Sequence, residues 1–171
     1  MIVVNLFGAP GAGKSTGAAY IFSQLKMKGY NVELVTEFAK DKVWEEDKGV
    51  FKDQLYIFAK QNFRLKRLED KVDVVITDSP ILLSLIYNDS YGQSLDYLVK
   101  DVFNNYNNIN FFVKRFKKYN PVGRFQTEEE SNKMEKVIEN KLGEEGVSYV
   151  SFLGTKSNYD MMVTMIEGVL K

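Results

Sequence analysis

The chain has 171 residues, the usual size of one globular domain, and 44% of them are apolar, which is enough to form a core. Cysteine and histidine are both absent, which excludes disulfides, thiolate nucleophiles and Cys/His metal sites, so acid–base chemistry must use carboxylates or lysine. Lys plus Arg and Asp plus Glu both number 23, so no net charge attracts nucleic acid or an anionic membrane.

Apolar runs and helical repeats alternate along the chain. Residues 1–7 predict a buried strand, and residues 14–28 predict a helix that ends at Gly29. Further strands are predicted at residues 32–36, 72–77, 110–113 and 147–153, and further helices at 51–68, from Thr127 onward and at 159–170. Residues 104–110, which are rich in Asn, predict a solvated turn.

This alternation predicts an α/β fold with three layers, in which a five-stranded, mostly parallel sheet lies between helices. We expect a single domain over residues 1–171, with a short lid at about residues 115–126 where the pattern is interrupted. Ligands of such folds bind at the carboxyl ends of the strands.

A phosphate-binding loop follows the first predicted strand. Residues 8–15 match G-x-x-x-x-G-K-[ST] at every fixed position and directly precede the first predicted helix. The glycines let backbone N–H groups turn toward an anion, and the helix directs its positive dipole end at the same anion. Lys14 is expected to reach the β- and γ-phosphates of ATP, and Ser15 to bind Mg²⁺. The residues assigned to nucleotide binding are Gly8, Ala9, Pro10, Gly11, Ala12, Gly13, Lys14, Ser15 and Thr16.

Asp78 follows the apolar run 72–77, where a carboxylate can hold a metal ion or its waters. The alternative is a helix start in which Ser79 is the N-cap and Pro80 the first helical residue, and the two interpretations are compatible. A GTPase is the weaker interpretation, because the chain contains no Asn-Lys-x-Asp guanine motif.

Two polar residues are candidates for acting on the molecule that accepts the phosphoryl group. Glu37 closes the second predicted strand and, in a parallel sheet, faces the same edge as Gly8 and Asp78. Without histidine, such a carboxylate is the natural base for an acceptor hydroxyl, although it could also be an ordinary surface residue. Gln61 interrupts the apolar face of the helix predicted at 51–68 and could hydrogen-bond an acceptor such as a nucleobase or remain solvated.

The segment 114–124 carries five cations and no acid. It contains two of the chain's four arginines, Arg115 and Arg124, which on a closing loop could stabilise the charge that develops during phosphoryl transfer. The alternatives are a solvated basic loop and a contact to a nucleic-acid backbone, since aromatic residues alternate with the cations.

Four features together resemble the P-loop nucleoside and nucleotide kinase group, most closely small kinases related to ribosylnicotinamide kinase and to phage-encoded nucleotide or DNA kinases. They are residues 8–15, Glu37-Phe38-Ala39-Lys40, Gln61 and Asp78-Ser79-Pro80. By this resemblance Glu37 is a base or associated with the metal, Gln61 contacts the acceptor, and Arg115 and Arg124 are lid arginines. The chain departs from deoxynucleoside kinases, which commonly have an Arg-Ser pair after the acidic residue.

We therefore expect a P-loop kinase that uses ATP and Mg²⁺ to phosphorylate a nucleoside- or nucleotide-like acceptor. One alternative is a DNA or polynucleotide kinase, for example on a hydroxymethylated pyrimidine of phage DNA, and another is a regulatory ATPase. Because no stretch approaches the ~20 apolar residues of a membrane span, we expect a soluble cytoplasmic protein, in the host cytoplasm if phage-encoded. The sequence leaves the oligomeric state open, with a homodimer as one option.

Overall fold

The computed structural model describes residues 1–47, 49–122 and 126–170. Within these residues five strands form one sheet in the order β2-β3-β1-β4-β5, and every pairing is parallel. The strands are β1 (Ile2–Phe7), β2 (Val32–Val35), β3 (Val74–Thr77), β4 (Asn107–Lys114) and β5 (Val150–Leu153). The predicted α/β fold is confirmed, with a sheet that is wholly parallel.

In the described part of the chain, six α-helices connect and follow the strands. They are α1 (Lys14–Met27), α2 (Phe38–Trp44), α3 (Gln54–Lys66), α4 (Gly92–Asn104), α5 (Glu128–Glu144) and α6 (Lys156–Leu170). Short 3₁₀ helices occupy Val50–Lys52 and Ile81–Leu85. The sequence prediction missed α2 and α4, and it merged the first 3₁₀ helix with α3. None of the described helices is long and apolar enough to cross a membrane.

Alternate residues of the strands enter two separate cores, one on each face of the sheet. Val4, Leu6 and Ile76 pack with α1 and α6, whereas Val3 and Phe7 pack with α3, α4 and α5. A strand that is covered on both faces exposes no side to solvent and therefore needs no alternating polar residues. This is why β1 and β3 are nearly continuous apolar runs in the sequence. The arrangement is the predicted sandwich of helices, sheet and helices.

The Asn-rich stretch at 104–110 forms the predicted turn only at residues 105–106, between α4 and β4. Residues 107–110 are the first half of β4, beside β1. The buried Asn5 amide donates hydrogen bonds to the side-chain oxygens of Asn108 (2.8 Å) and Asn110 (3.0 Å). Asparagine favours turns because its side chain competes with the backbone for hydrogen bonds, and here partners on the neighbouring strand remove that competition.

Candidate active site

Most of the functional residues predicted from the sequence line one cleft at the carboxyl ends of β1, β2 and β3. The cleft has a volume of about 540 Å³. Among its lining residues are Gly8, Pro10, Gly11, Gly13, Lys14, Ser15, Thr16, Glu37, Gln61 and Asp78. Parallel strands end at the same edge of the sheet, so loops distant in the sequence converge there.

The phosphate-binding loop has the backbone geometry that its glycines predict. Gly8, Gly11 and Gly13 all have positive φ angles, of 138°, 80° and 107°. Lys14 is the first residue of α1, and its Nζ donates to the carbonyl oxygens of Gly8 (2.7 Å) and Ala9 (3.0 Å). The lysine therefore lies across the loop, beside the helix N-terminus whose N–H groups can bind an anion.

Two helices that follow much later in the chain hold this loop in place. From α5, the buried Ser131 hydroxyl donates to the Pro10 carbonyl at 2.7 Å. From α6, the Tyr159 hydroxyl donates to the Gly13 carbonyl at 3.0 Å. Sequence analysis missed both residues, since no local pattern marks a side chain that acts more than a hundred positions away.

Gly8→Ala should lower the free energy of unfolding by about 3–5 kcal/mol, because the new methyl group would both strain the backbone and overlap a neighbour. A Cβ built at Gly8 would lie 2.3 Å from the Val113 carbonyl oxygen. Gly29 also has a positive φ, of 88°, but a Cβ there meets nothing within 4 Å, so Gly29→Ala should cost only about 1–2 kcal/mol. Urea unfolding of both variants measures the difference, and equal losses would contradict this account of Gly8.

Two carboxylates face the loop from the neighbouring strands. The sequence predicts that Glu37 closes the second strand, but in the structure Glu37 lies two residues beyond the end of β2 and directly precedes α2. Burial raises the pKa of Glu37, the positive charge of Lys14 lowers it, and the negative charge of Asp78 raises it. Burial is the largest of these effects, so the net pKa of Glu37 is above its ordinary value. The three charged groups are thus close enough to influence one another.

Asp78 directly follows β3 and is 4% exposed. Its Oδ1 is buried and has no hydrogen-bond partner among the described residues. The alternative helix start is also present in modified form, because the 3₁₀ helix begins at Ile81 with Pro80 before it. A buried carboxylate oxygen without a partner in a phosphate-binding cleft fits a metal ion or its waters.

The donor set is compatible with Mg²⁺ and not with an all-protein metal cage. The described residues contain no group of three or more acidic side chains placed to hold a metal ion. Mg²⁺ in nucleotide sites uses only one or two carboxylates and takes its other ligands from phosphates and waters. Ser15 and Asp78, which both line the cleft, are the residues that fit this role.

Gln61 fixes the backbone on both sides of Glu37. It is 4% exposed, its Oε1 accepts from the Phe38 N–H at 2.9 Å, and its Nε2 donates to the Thr36 carbonyl at 3.3 Å. Arg64, one turn further along α3, also donates to the Thr36 carbonyl, at 3.0 Å. Sequence analysis left Gln61 as an acceptor contact or a solvated residue. The structure buries it among the lining of the cleft, and its hydrogen bonds also position Glu37.

Gln61→Ala should lower turnover about 10-fold or more, because the backbone that carries Glu37 would no longer be held. The same change leaves the Phe38 N–H without its acceptor, at a cost of about 1–3 kcal/mol in the free energy of unfolding. Steady-state kinetics at varied acceptor concentration distinguish a positioning role from a direct contact with the acceptor. Loss of positioning lowers kcat, whereas loss of an acceptor contact raises the KM for the acceptor. Lys60→Ala, at an exposed neighbour on α3, is the control. Wild-type kcat in Gln61→Ala would refute the positioning role.

A second cavity, of about 310 Å³, lies on the other side of the phosphate-binding loop. It shares Gly11, Gly13 and Thr16 with the main cleft and has a largely apolar wall. Its aromatic lining residues are Tyr20, Phe116 and Tyr159, and the turn after β5 completes it with Gly154, Thr155 and Lys156. A ligand bound along the loop could therefore extend into both cavities.

The predicted lid touches both cavities, but Arg115 lines neither of them. Its guanidinium bonds the Asn132 side chain, lies 3.6 Å from a Glu128 carboxylate oxygen and stacks over Tyr119. Nη1 of Arg115 is buried and has no hydrogen-bond partner among the described residues. Arg115 is thus held at the start of α5, and Arg124 lies outside the described residues.

Known proteins share this architecture. Residues 3–157 match the model of a family described as an AAA domain. The chain is similar to deoxyadenosine kinase from M. mycoides with bound dATP, at 21% identity over 98% of both chains and a TM-score of 0.58. It is also similar to thymidylate kinase from Ehrlichia chaffeensis, at 14% identity over 97% of this chain and 98% of that one, with a TM-score of 0.62. Comparison with curated proteins gives no match. These similarities show the fold of the P-loop nucleoside and nucleotide kinases.

Proposed function

The chain belongs to the AAA domain family, and from this premise we propose that it is an ATP-dependent kinase acting on a nucleoside- or nucleotide-like acceptor. The observation that carries the proposal is the convergence of Lys14, Glu37 and Asp78 in one cleft beside the phosphate-binding loop. Similarity to a deoxyadenosine kinase and a thymidylate kinase supports the same reaction class.

ATP would lie along the phosphate-binding loop, with its base in the second cavity and its γ-phosphate in the main cleft. The loop N–H groups and the α1 dipole bind the phosphates, and Lys14 moves from its loop carbonyls onto the β- and γ-phosphates. Tyr20 and Phe116 offer aromatic surface to the base. Because the two cavities share residues of the loop, one extended ligand can occupy both.

Ser15 and Asp78 would hold Mg²⁺, directly or through its waters. Mg²⁺ held there would supply positive charge to offset the negative charge of the phosphates during transfer. Asp78 Oδ1 has no hydrogen-bond partner among the described residues, so it would be available to the ion or its waters. Glu37 lies near enough to serve either as a base for an acceptor hydroxyl or as an outer partner of the metal ion and its waters.

Arg115 would leave Asn132 and Glu128 when the lid segment closes, and would then meet the transferring phosphoryl group together with Arg124. Arg115→Ala should lower the transfer rate by a factor of order 10 to 10³. Single-turnover kinetics at saturating ATP measure this step. Arg67→Ala, at an exposed arginine at the end of α3, is the matched control and should have no effect. A wild-type rate in Arg115→Ala would exclude the lid role.

The proposed function predicts that ADP release depends on an acceptor. The test incubates the protein with ATP and Mg²⁺, adds nucleosides, nucleotides, ribosylnicotinamide or DNA one at a time, and follows ADP. Release that is at least about 10-fold faster with one acceptor class than without any acceptor supports the kinase. Release at one rate regardless of acceptor supports the alternative of a regulatory ATPase and contradicts the proposal.

A second candidate, a DNA kinase, is favoured by the exposed surface that precedes the undescribed part of the lid. Phe116, Lys117 and Lys118 are all exposed there, and aromatic residues beside cations suit a single strand. This candidate predicts phosphate transfer to DNA and binding that weakens steeply with salt. DNA that neither binds nor accepts phosphate would exclude it.

A further inference from the structure

The wall of the main cleft that residues 51–61 and 80–87 form is lined by neutral groups. Phe51, Ile57 and Leu83 supply apolar surface, and Gln54, Ser84 and Tyr87 supply polar groups without charge. The Gln54 amide donates to the Ser84 hydroxyl at 3.0 Å, which leaves the Ser84 hydrogen free to point at a ligand. Apolar walls with a few neutral polar groups suit an uncharged ring system.

The Tyr87 hydroxyl also belongs to this neutral set. Burial raises the pKa of Tyr87 to about 12, with a smaller contribution from the negative charge of Glu37. The residue keeps 41% of its surface exposed, so Tyr87 lies at the mouth of the cleft, close enough to Glu37 for the two groups to interact. The hydroxyl stays protonated at neutral pH and can donate a hydrogen bond to an acceptor.

The charged groups around this part of the cleft are mainly acidic. Glu37 and Asp89 line it, and Lys40, in the first turn of α2, is the cation beside them. No arginine is found among the described residues that line the cleft. Arg64, which is close in the fold, is committed to Asp41 and to the backbone of Thr36. A phosphate dianion is usually recognised by bidentate guanidinium groups, and carboxylates repel it.

The chemistry of the two acceptor classes distinguishes them further. A monophosphate at neutral pH presents an oxygen that is already ionised, because its second pKa is about 6, so it needs cations and no base. A hydroxyl needs a group that takes its proton as the bond to phosphorus forms. Glu37 is a half-buried carboxylate near Lys14 and Asp78, and no arginine of the described part of the chain lines the cleft with it, so it meets the second requirement.

We infer that the acceptor is an uncharged nucleoside-class compound that presents a hydroxyl, and not a phosphate, to the γ-phosphate of ATP. This inference rests on the proposed function. The acceptor oxygen forms a bond to the γ-phosphorus while the bond from that phosphorus to the β,γ-bridging oxygen breaks, and ADP leaves. The hydroxyl proton passes to Glu37 and from there to solvent.

The test compares each nucleoside with its own 5′-monophosphate. For the accepted base, kcat/KM of the nucleoside should exceed that of the monophosphate about 100-fold, since like charges in a cleft cost several kcal/mol and each 1.4 kcal/mol is a factor of ten. Equal or faster use of the monophosphate would overturn the inference and leave the kinase intact. If neither compound of any pair accelerates ADP release, it is the proposed function that fails.

A charge variant tests the electrostatic argument itself. Asp89→Asn removes one carboxylate from the cleft and should narrow the preference for nucleoside over monophosphate about 10-fold. Asp101→Asn, at an exposed position on α4, removes the same charge elsewhere and should leave the preference unchanged. A preference in Asp89→Asn equal to that of the wild type would overturn the electrostatic basis of the inference.

Discussion

Replacing Lys14 with alanine is expected to abolish measurable phosphoryl transfer while the chain remains folded. In the proposed function the ammonium group is the charge that the loop would place against the phosphates, and its bonds to the Gly8 and Ala9 carbonyls hold it across the loop. Removing such a preorganised charge should slow transfer by a factor on the order of 10³. The surrounding contacts of Ser131 and Tyr159 with the loop do not involve Lys14, so the loop should keep its shape.

Two measurements make the Lys14 result interpretable. Transfer of labelled phosphate from ATP gives the rate, and thermal unfolding shows whether the variant is folded. Lys133→Ala, which removes an exposed lysine of α5 paired with Glu129, controls for the loss of a positive charge. A folded Lys14→Ala protein with a rate within about 10-fold of the wild type would remove the loop from the mechanism.

Glu37→Gln should have the second large effect, and it should act on turnover much more than on ATP binding. A general base contributes typically about 10²–10⁴-fold, and glutamine cannot take a proton. In the proposed function ATP binds chiefly to the loop, so its affinity for the protein should change little. Equilibrium ATP binding and the single-turnover transfer rate, measured on the same preparation, test the predicted effects on affinity and on turnover. An unchanged transfer rate would exclude Glu37 as the base.

The same variant should change stability in the opposite direction to activity. The pKa of Glu37 is raised in the folded protein, chiefly by burial, so the folded state favours the protonated form. The stability from this group is present below its ordinary pKa and is lost as the pH rises through the raised value. At pH 7, which is above the ordinary pKa, part or all of this stability is lost, and Glu37→Gln should unfold at higher urea concentration than the wild type. At a pH below the ordinary pKa the two proteins should converge, and a Glu37→Gln protein less stable than the wild type at pH 7 would contradict this account.

The fold could be predicted where one physical cause dominates. The strands were visible because burial on both faces leaves continuous apolar runs, as in residues 72–77. Helix α2 could not be predicted, because seven residues are too few to show a clear helical periodicity of apolar residues. The helix also depends on Gln61 to accept a hydrogen bond from the Phe38 N–H. Asn108 and Asn110 misled the prediction because their strand partner, Asn5, lies a hundred residues earlier.

The candidate site divides in the same way. The loop, Glu37 and Asp78 could be placed together because parallel strands deliver their following residues to one edge. The hydrogen bonds by which Ser131 and Tyr159 support the loop could not be predicted, and neither could the neutral lining that includes Tyr87. Each of them depends on packing between distant segments of the chain. No local sequence pattern indicates the contacts of Arg115 with Asn132 and Glu128. The sequence therefore predicted a lid arginine but not the residues that it contacts in this structure.

The destination of the γ-phosphate tests the central claim most directly. The purified protein is incubated with γ-labelled ATP, Mg²⁺ and a mixture of nucleosides, and the products are separated after several turnovers. The account predicts that label appears on a nucleoside hydroxyl in step with ADP, and that Lys14→Ala and Glu37→Gln abolish it. Label found only as inorganic phosphate, at the same rate with and without nucleosides, would contradict the account.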